Sequence, residues 1–205
     1  ASKDPFIAAA MMVKPLWLAR EKVGETRSGD IMVPMNTYME GLIASAGGLV
    51  APDANSSLRI SFGTVRGYTA DGAKEAYAPF TKVSEILAKD TGKEPFDSPK
   101  ALVAAIKAKK WGGWADKRLG EVPVNFLSDL DITNGNSGSP VLNGKGELVG
   151  LAFDGNIEGM SSDVVFDGRA TRTITLDIRY MLWIMDTVDN AKHLLTEMNV
   201  TTPAP

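Results

Sequence analysis

The sequence Asn134-Gly-Asn-Ser-Gly-Ser-Pro140 leads directly into the apolar segment Pro140-Val-Leu142, and a turn of sequence Asn-Gly-Lys-Gly joins that segment to Leu148-Val-Gly-Leu-Ala-Phe153. Two apolar runs separated by a glycine-rich turn predict a β-hairpin. The small residues before the hairpin let the backbone turn sharply, so the amides of Gly135 and Ser137 can both point at one position beside the Ser137 hydroxyl. An oxyanion hole for acyl transfer requires that arrangement.

Three other kinds of loop share some of these residues. A nucleophile elbow of the α/β-hydrolase type is disfavoured because Ser139 stands where the second glycine of G-x-S-x-G belongs, and because a hairpin rather than a helix follows. A phosphate-binding nest is disfavoured because the loop lacks the lysine and the following helix that accompany such a nest. From these residues alone, an ordinary polar turn remains an alternative interpretation of the loop.

Patterns on both sides of the hairpin predict the rest of an antiparallel β domain. Leu58, Ile60 and Phe62 alternate with polar residues and begin a predicted strand that continues to Val65 and Tyr68. Further strands are predicted at residues 122–127, 140–142, 148–153 and 172–178. Together these strands indicate an antiparallel barrel or sandwich.

Two helical patterns accompany the predicted strands. Residues 81–110 form a predicted helical insert, in which Ser98 is an N-cap and Pro99 the first helical residue of the second helix. Residues 179–198 predict a terminal helix with one apolar face, and His193 lies on the opposite face, towards solvent.

The N-terminal part of the chain has a different pattern. Residues 6–45 have helical periodicity interrupted at Pro34, which predicts two helices with a methionine-rich side packed in a core. The segment 47–57, rich in glycine, proline and short polar residues, is typical of a domain boundary. We therefore expect one domain at residues 1–50 and a second at residues 51–205.

Composition excludes several classes of protein. The 205 residues contain 22 Lys and Arg against 25 Asp and Glu, and the net charge of −3 disfavours a nucleic-acid partner. The apolar stretches fall far short of the ~20 residues that span a bilayer, so we expect no membrane association. The absence of cysteine excludes thiol nucleophiles and cysteine-ligated metal sites.

The sequence G-N-S-G-S-P before a strand and a hairpin is similar to the nucleophile loop of chymotrypsin-fold serine peptidases. The longer runs 132–156 and 172–180 resemble one family within that fold, the bacterial periplasmic dipeptidyl-peptidases of the 7/11 type. The resemblance extends over essentially the whole chain, including residues 52–55 and 93–97. It implies a mainly β chain, in which a chymotrypsin-like second barrel of a double barrel with a helical insert and a C-terminal helix follows the tail of a helical domain.

The resemblance also implies roles for individual residues. Ser137 matches the nucleophile, and the amides of Gly135 and Ser137 match the oxyanion donors. Asp154 matches the acidic residue that anchors the free α-amino group of the substrate. Gly155 matches a position that is arginine in members cutting after Asp or Glu and glycine in members preferring an apolar side chain, so we expect an apolar P1 residue and a closer relation to the dipeptidyl-peptidase 7 branch.

Two further positions qualify the resemblance. Asn136 stands where chymotrypsin-like zymogens carry an aspartate that pairs with a newly cut N-terminus, so activation by that ion pair is not expected. Ile157 stands where an aromatic residue is expected after Asp-Gly-Asn, which affects the shape of the substrate pocket rather than the reaction.

A serine hydroxyl needs an adjacent base, normally a histidine oriented by a carboxylate. The chain has one histidine, His193, which follows Ser137 and is expected to face solvent. In the family the histidine and its aspartate precede the nucleophile, in the first barrel. We therefore expect this chain to be a C-terminal portion that is inactive without the upstream half of the same polypeptide.

The resemblance implies a peptide substrate, a homodimer and a periplasmic location, with no cofactor and no metal. Two rival functions remain. One is a non-catalytic module that uses the barrel to bind peptides or as a scaffold. The other is a chymotrypsin-fold endopeptidase with the same G-N-S-G-S-P loop, which would accept N-terminally blocked peptides.

Overall fold

The structure of the chain is a computed structural model that describes residues 3–48, 50, 58–162 and 166–204. The chain divides into two compact units, Ala1–Pro52 and Asp53–Pro205. Most of the predicted boundary segment, residues 47–57, lies outside the described residues, and the matched residues 52–55 lie wholly outside them. The assignment of residues 1–50 to the end of a larger helical domain stays a prediction.

The described part of the first unit is one helix, α1 (Pro5–Ala46), of 42 residues. The Asp4 carboxylate caps it by accepting hydrogen bonds from the amides of Phe6 and Ile7, and Gly47 ends it in the left-handed conformation at φ 67°. The predicted division at Pro34 is therefore wrong, because a proline inside a helix removes one amide donor without always ending the helix. No residue of α1 is buried, so the predicted methionine core is also wrong within this unit, whose described part holds no second element to pack against.

The second unit contains a five-stranded antiparallel sheet in the order β1-β2-β5-β4-β3. The predicted strands other than the first are confirmed within a residue or two. They are β2 (Pro123–Ser128), β3 (Pro140–Leu142), β4 (Leu148–Gly155) and β5 (Thr173–Asp177). The edge strand β1 (Phe80–Lys82) was not predicted, and it overlaps the start of the predicted helical insert.

The antiparallel β architecture with a helical insert is confirmed, but the sheet does not close into a barrel, since β1 and β3 are its two edges. The strand predicted from Leu58 is wrong: this segment makes only isolated bridges, from Val65 to Ser128 and from Tyr68 to Tyr77. The side chains of Leu58, Ile60 and Phe62 are 90%, 83% and 91% exposed, because they have no partner strand to cover them among the described residues. Over the described residues, with α1 included, helix exceeds strand, so the expectation of a mainly β chain is wrong for this part of the sequence.

The helical insert is confirmed as α2 (Val83–Lys89) and α3 (Lys100–Lys107), although Pro99 rather than Ser98 is the N-cap of α3. The predicted terminal helix is broken into α4 (Ile178–Trp183), a π-helical turn (Ile184–Val188) and α5 (Lys192–Glu197). Asn190 between the last two adopts φ 53°, a conformation in which an α-helix cannot continue.

The hydrophobic core lies where these helices meet the sheet. Val83, Val122 and Trp183 are fully buried, and the indole nitrogen of Trp183 donates to the carbonyl of Lys110 at 2.8 Å. A buried indole N–H would otherwise lose its hydrogen bond to water, so this contact fixes α4 against the end of the insert. The candidate site lies away from this core, on the loop before β3 and the end of β4.

Candidate active site

The loop between β2 and β3 is held in place by its own polar groups. The Asn136 side-chain oxygen accepts from the amide of Thr133 at 3.0 Å, and the Gly138 amide donates to the carbonyl of Ala152 at 2.7 Å. Gly135 and Gly138 have φ values of 93° and 84°. Residues with a Cβ rarely adopt these values, so the two glycines permit the two sharp turns that the sequence predicts.

The hydroxyl of Ser137 is exposed at the surface of this loop and donates to the carbonyl of Phe153 on β4 at 3.3 Å. The amide of Asn136 donates to the carbonyl of Thr133 at 3.2 Å. Within the part of the chain that the structure describes, the amides of Gly135 and Ser137 make no hydrogen bond. Both amides are therefore available to an oxygen atom brought to Ser137.

A surface depression of about 230 Å³ adjoins Ser137. The predicted residues Gly135, Ser137, Asp154 and Gly155 all line it. Residues distant in sequence complete its wall, including Ile132, Gly159, Met160, Ser162, Thr171 and Thr173. The structure thus brings together the residues that the sequence singled out, around a space large enough for an amino-acid side chain.

A β-bulge at Phe153 determines how the end of β4 meets this depression. Ala152 pairs with Thr175, but Asp154 pairs with Ile174, so Phe153 has no partner of its own on β5. Such a bulge bends the strand and changes the direction of the side chains that follow. Beyond it, the exposed Asp154 carboxylate accepts from the Gly155 amide at 2.8 Å.

Gly155 leaves room beside this carboxylate. A Cβ placed on Gly155 would have no neighbouring atom closer than the carbonyl oxygen of Arg172, 3.9 Å away. The site therefore offers one negative charge next to an open space.

A buried polar cluster behind Asp154 and Gly155 was missed by the sequence reasoning. Asn156 is 7% exposed, and its side chain accepts from the Arg172 amide at 2.7 Å and donates to the Ala170 carbonyl at 2.7 Å and to Glu158 at 2.9 Å. Glu158 also accepts from the hydroxyl of Tyr68 at 2.8 Å. The available signal was an asparagine directly after Asp-Gly, but its partners are distant in sequence.

Arg172 is the charged member of this cluster and is only 3% exposed. Its guanidinium donates to the backbone carbonyls of Gly67, Gly168, Arg169 and Thr171. It also lies 5.7 Å from the centre of the Tyr68 ring. Burial lowers the pKa of Arg172 and raises the pKa of Tyr68, because each loses contact with water.

His193 is exposed on α5 and does not line the depression. As it is the one histidine of the chain, this chain brings no imidazole to Ser137. Ile157, at the position where an aromatic residue was expected, is 77% exposed and does not line the depression.

Comparison with known proteins identifies the family. Residues 1–200 match the Peptidase S46 family. The Asp/Glu-specific dipeptidyl-peptidase of Shewanella putrefaciens is 41% identical over 223 aligned residues, which cover 97% of this chain and 30% of that protein. The dipeptidyl-peptidase 7 of Capnocytophaga gingivalis is 47% identical over 169 residues, which cover 80% of this chain and 23% of that protein.

Solved structures agree with the sequence relatives. The crystal structure of Porphyromonas endodontalis DPP11 in complex with substrate matches 97% of this chain and 29% of that chain, with a TM-score of 0.82 and 30% sequence identity. The chain belongs to the Peptidase S46 family, which confirms the resemblance to dipeptidyl-peptidases of the 7/11 type. It spans less than a third of the length of the relatives it matches, and these relatives include both Asp/Glu-specific enzymes and dipeptidyl-peptidase 7.

Proposed function

We propose that this chain is the nucleophile-bearing part of a serine dipeptidyl-peptidase, which releases dipeptides from peptides with a free N-terminus and prefers an apolar P1 side chain. The proposal is carried by the grouping of an exposed serine hydroxyl, a carboxylate and two backbone amides that make no hydrogen bond with the described residues, all around one depression. The family and its dipeptidyl-peptidase members support the reaction class.

In the proposed reaction the Ser137 oxygen attacks the carbonyl carbon of the second substrate residue as its proton passes to a base. The peptide bond to the third residue then breaks, the departing amine takes up that proton, and water hydrolyses the dipeptidyl ester of Ser137 to release the dipeptide. The base and its orienting carboxylate come from the upstream half of the same polypeptide, because this chain brings no imidazole to Ser137. The hydroxyl must first leave the Phe153 carbonyl. The amides of Gly135 and Ser137 then stabilise the oxyanion, each by about 2.7–4 kcal/mol in the transition state.

Asp154 fixes the cleavage position in this proposal. A carboxylate attracts the α-ammonium group of an unblocked substrate through a charge-assisted hydrogen bond. If the ammonium is held at Asp154, the carbonyl presented to Ser137 is two residues from the N-terminus. A peptide with an acylated N-terminus has no ammonium group, so the enzyme should reject it.

The P1 preference rests on Gly155. Among the described residues, no side chain lies within 4 Å of a Cβ placed on Gly155, so no cation at that point would pair with an acidic P1 residue. A depression of about 230 Å³ accommodates an apolar side chain. From the family resemblance we further propose a periplasmic location and a homodimer.

The test is hydrolysis of unblocked dipeptide–fluorophore substrates by the polypeptide that carries this chain with its upstream residues. Ser137→Ala should abolish turnover, by at least about 10⁴-fold, because the nucleophile is lost. Ser139→Ala, two residues away on the same loop, is the matched control and should retain activity.

The same assay distinguishes the proposed function from the two rival functions, an endopeptidase and a non-catalytic binding module. Equal hydrolysis of N-acylated peptides would identify an endopeptidase instead. Peptide binding without turnover, unchanged by Ser137→Ala, would identify a non-catalytic binding module.

A further inference from the structure

We propose that Asn156 is a positioning residue, which holds the end of β4 so that the Asp154 carboxylate meets the α-ammonium group of the substrate. This inference rests on the proposed function and adds a residue to it. The Asn156 side chain takes no part in the chemistry itself; it acts through the two residues that precede it.

Few contacts fix the Asp154 side chain directly. Its side chain is exposed, and among the described residues its carboxylate accepts a hydrogen bond only from the adjacent Gly155 amide. The direction of the carboxylate is therefore set by the backbone of residues 154–156. Whatever fixes that backbone also fixes the carboxylate.

Asn156 fixes this backbone through both its main-chain amide and its side-chain oxygen. Its main-chain amide donates to the Arg172 carbonyl at 2.9 Å, and its side-chain oxygen accepts from the Arg172 amide at 2.7 Å. The pair of bonds extends the contact between β4 and the residue before β5 by one position beyond Gly155 and Thr173. The end of β4 is thus attached where the bulge at Phe153 has already interrupted the regular pairing.

The Asn156 side chain also joins two loops that surround the depression. Its nitrogen donates to the Ala170 carbonyl at 2.7 Å and to Glu158 at 2.9 Å. Asn156 is buried, so a side chain without these groups leaves the amide of Arg172 and the carbonyl of Ala170 without partners. The segment can recover such partners only by moving, and Asp154 moves with it.

The experiment measures steady-state kinetics of Asn156→Ala in the polypeptide that carries this chain with its upstream residues. With an unblocked dipeptide–fluorophore we expect KM to rise about tenfold while kcat stays within about threefold, because binding of the ammonium group is weakened and Ser137 is not. The rate of Ser137 phosphonylation by a fluorophosphonate, which carries no ammonium group, should stay within about threefold.

Asn143→Ala is the matched control. The Asn143 side chain also makes three hydrogen bonds, to Glu147 twice and to the Lys145 amide, but in the exposed hairpin turn. It should leave KM unchanged. Asn156→Ser is the second variant, for use if the alanine variant does not fold by thermal unfolding; its shorter side chain cannot make all three contacts, so KM should rise in the same direction.

A double-mutant cycle with Asp154→Asn shows whether Asn156 acts through Asp154. Asp154→Asn alone should raise KM, and adding Asn156→Ala to it should raise KM by less than about threefold more. If the two effects multiply, or if neither Asn156 variant changes KM, the positioning role is overturned and the proposed function stands. If Asp154→Asn leaves KM unchanged, the anchoring role proposed for Asp154 fails, and the role of Asn156 fails with it.

Discussion

At the scale of single residues, the proposed P1 preference depends on Gly155. It lies directly after the Asp154 carboxylate, and a side chain at this position would extend from β4 without a close contact. Its φ is outside the left-handed region, so an L-residue is not strained there. The backbone therefore tolerates a substitution that changes only what the pocket contains.

We predict that Gly155→Arg, in the polypeptide joined to its upstream residues, shifts the P1 preference from apolar to acidic. A guanidinium in the depression can form a bidentate ion pair with an Asp or Glu side chain, and it occupies the space of an apolar one. The ratio of kcat/KM for a substrate with P1 Asp to that with P1 Leu should rise by about 10- to 100-fold, as expected for one charge-assisted contact.

Gly155→Met is the control for this change, because it fills the same space without a charge. It should lower kcat/KM for the Leu substrate without improving the Asp substrate. An unchanged preference in Gly155→Arg would show that Gly155 does not lie in the P1 pocket.

At the scale of elements, an ion-pair cluster joins the connection before β2 to the start of α4. Arg179 on α4 donates to Asp116 and to Asp177 at 2.7 Å each. The Asp116 carboxylate also accepts from the amides of Arg118 and Leu119 at 2.8 and 3.2 Å. The hydrogen bond from Arg179 is the main reason that the pKa of Asp116 falls to about 2.

The lowered pKa gives a pH dependence of stability. Because the folded-state pKa of Asp116 is below its unfolded value of 3.8, its contribution is fully present above about pH 4 and is lost as the pH falls from about 4 to about 2. We predict that Asp116→Asn lowers the free energy of unfolding by about 1–2 kcal/mol at pH 7. The difference in unfolding free energy between Asp116→Asn and the parent chain, measured by urea unfolding, should decrease as the pH approaches 2.

Asp97→Asn is the control, since Asp97 is exposed and makes no hydrogen bond or ion pair with the described residues. It should change the unfolding free energy little at any pH. A constant difference between Asp116→Asn and the parent chain from pH 7 to pH 2 would contradict the ion-pair explanation.

At the scale of the whole molecule, the proposed function assigns the nucleophile and its base to different segments of the polypeptide. The chain carries the serine, the two amides and the carboxylate, and its one histidine lies on α5 outside the depression. It spans 30% of the Shewanella putrefaciens relative and 23% of the Capnocytophaga gingivalis relative. In the proposed enzyme, catalysis therefore depends on residues upstream of this chain.

We predict that the isolated chain hydrolyses unblocked dipeptide–fluorophores at least about 10⁴-fold more slowly than the polypeptide joined to its upstream residues. A serine without a base loses about this factor or more, even where the oxyanion hole and the binding site remain. Turnover by the isolated chain at a comparable rate, abolished by Ser137→Ala, would show that the base lies within the 205 residues.

The sequence by itself determined the hairpin after Ser137, most strands of the sheet, the helical insert and the family. These features depend on local patterns: alternation, turn residues and the spacing of glycines around one serine. The grouping of Ser137, Asp154 and Gly155 was also predictable, because the hairpin brings the end of β4 back to the loop before β3.

Only the tertiary structure decided the remaining features. Pro34 does not interrupt α1, and the segment from Leu58 forms no strand despite its alternation, because a strand also needs a partner. Asn156 acquired its role from contacts with Arg172 and Ala170, 16 and 14 residues away. Hydrogen bonds to a buried amide and the pairing of a strand depend on which distant backbone groups lie nearby, and no local pattern carries that information.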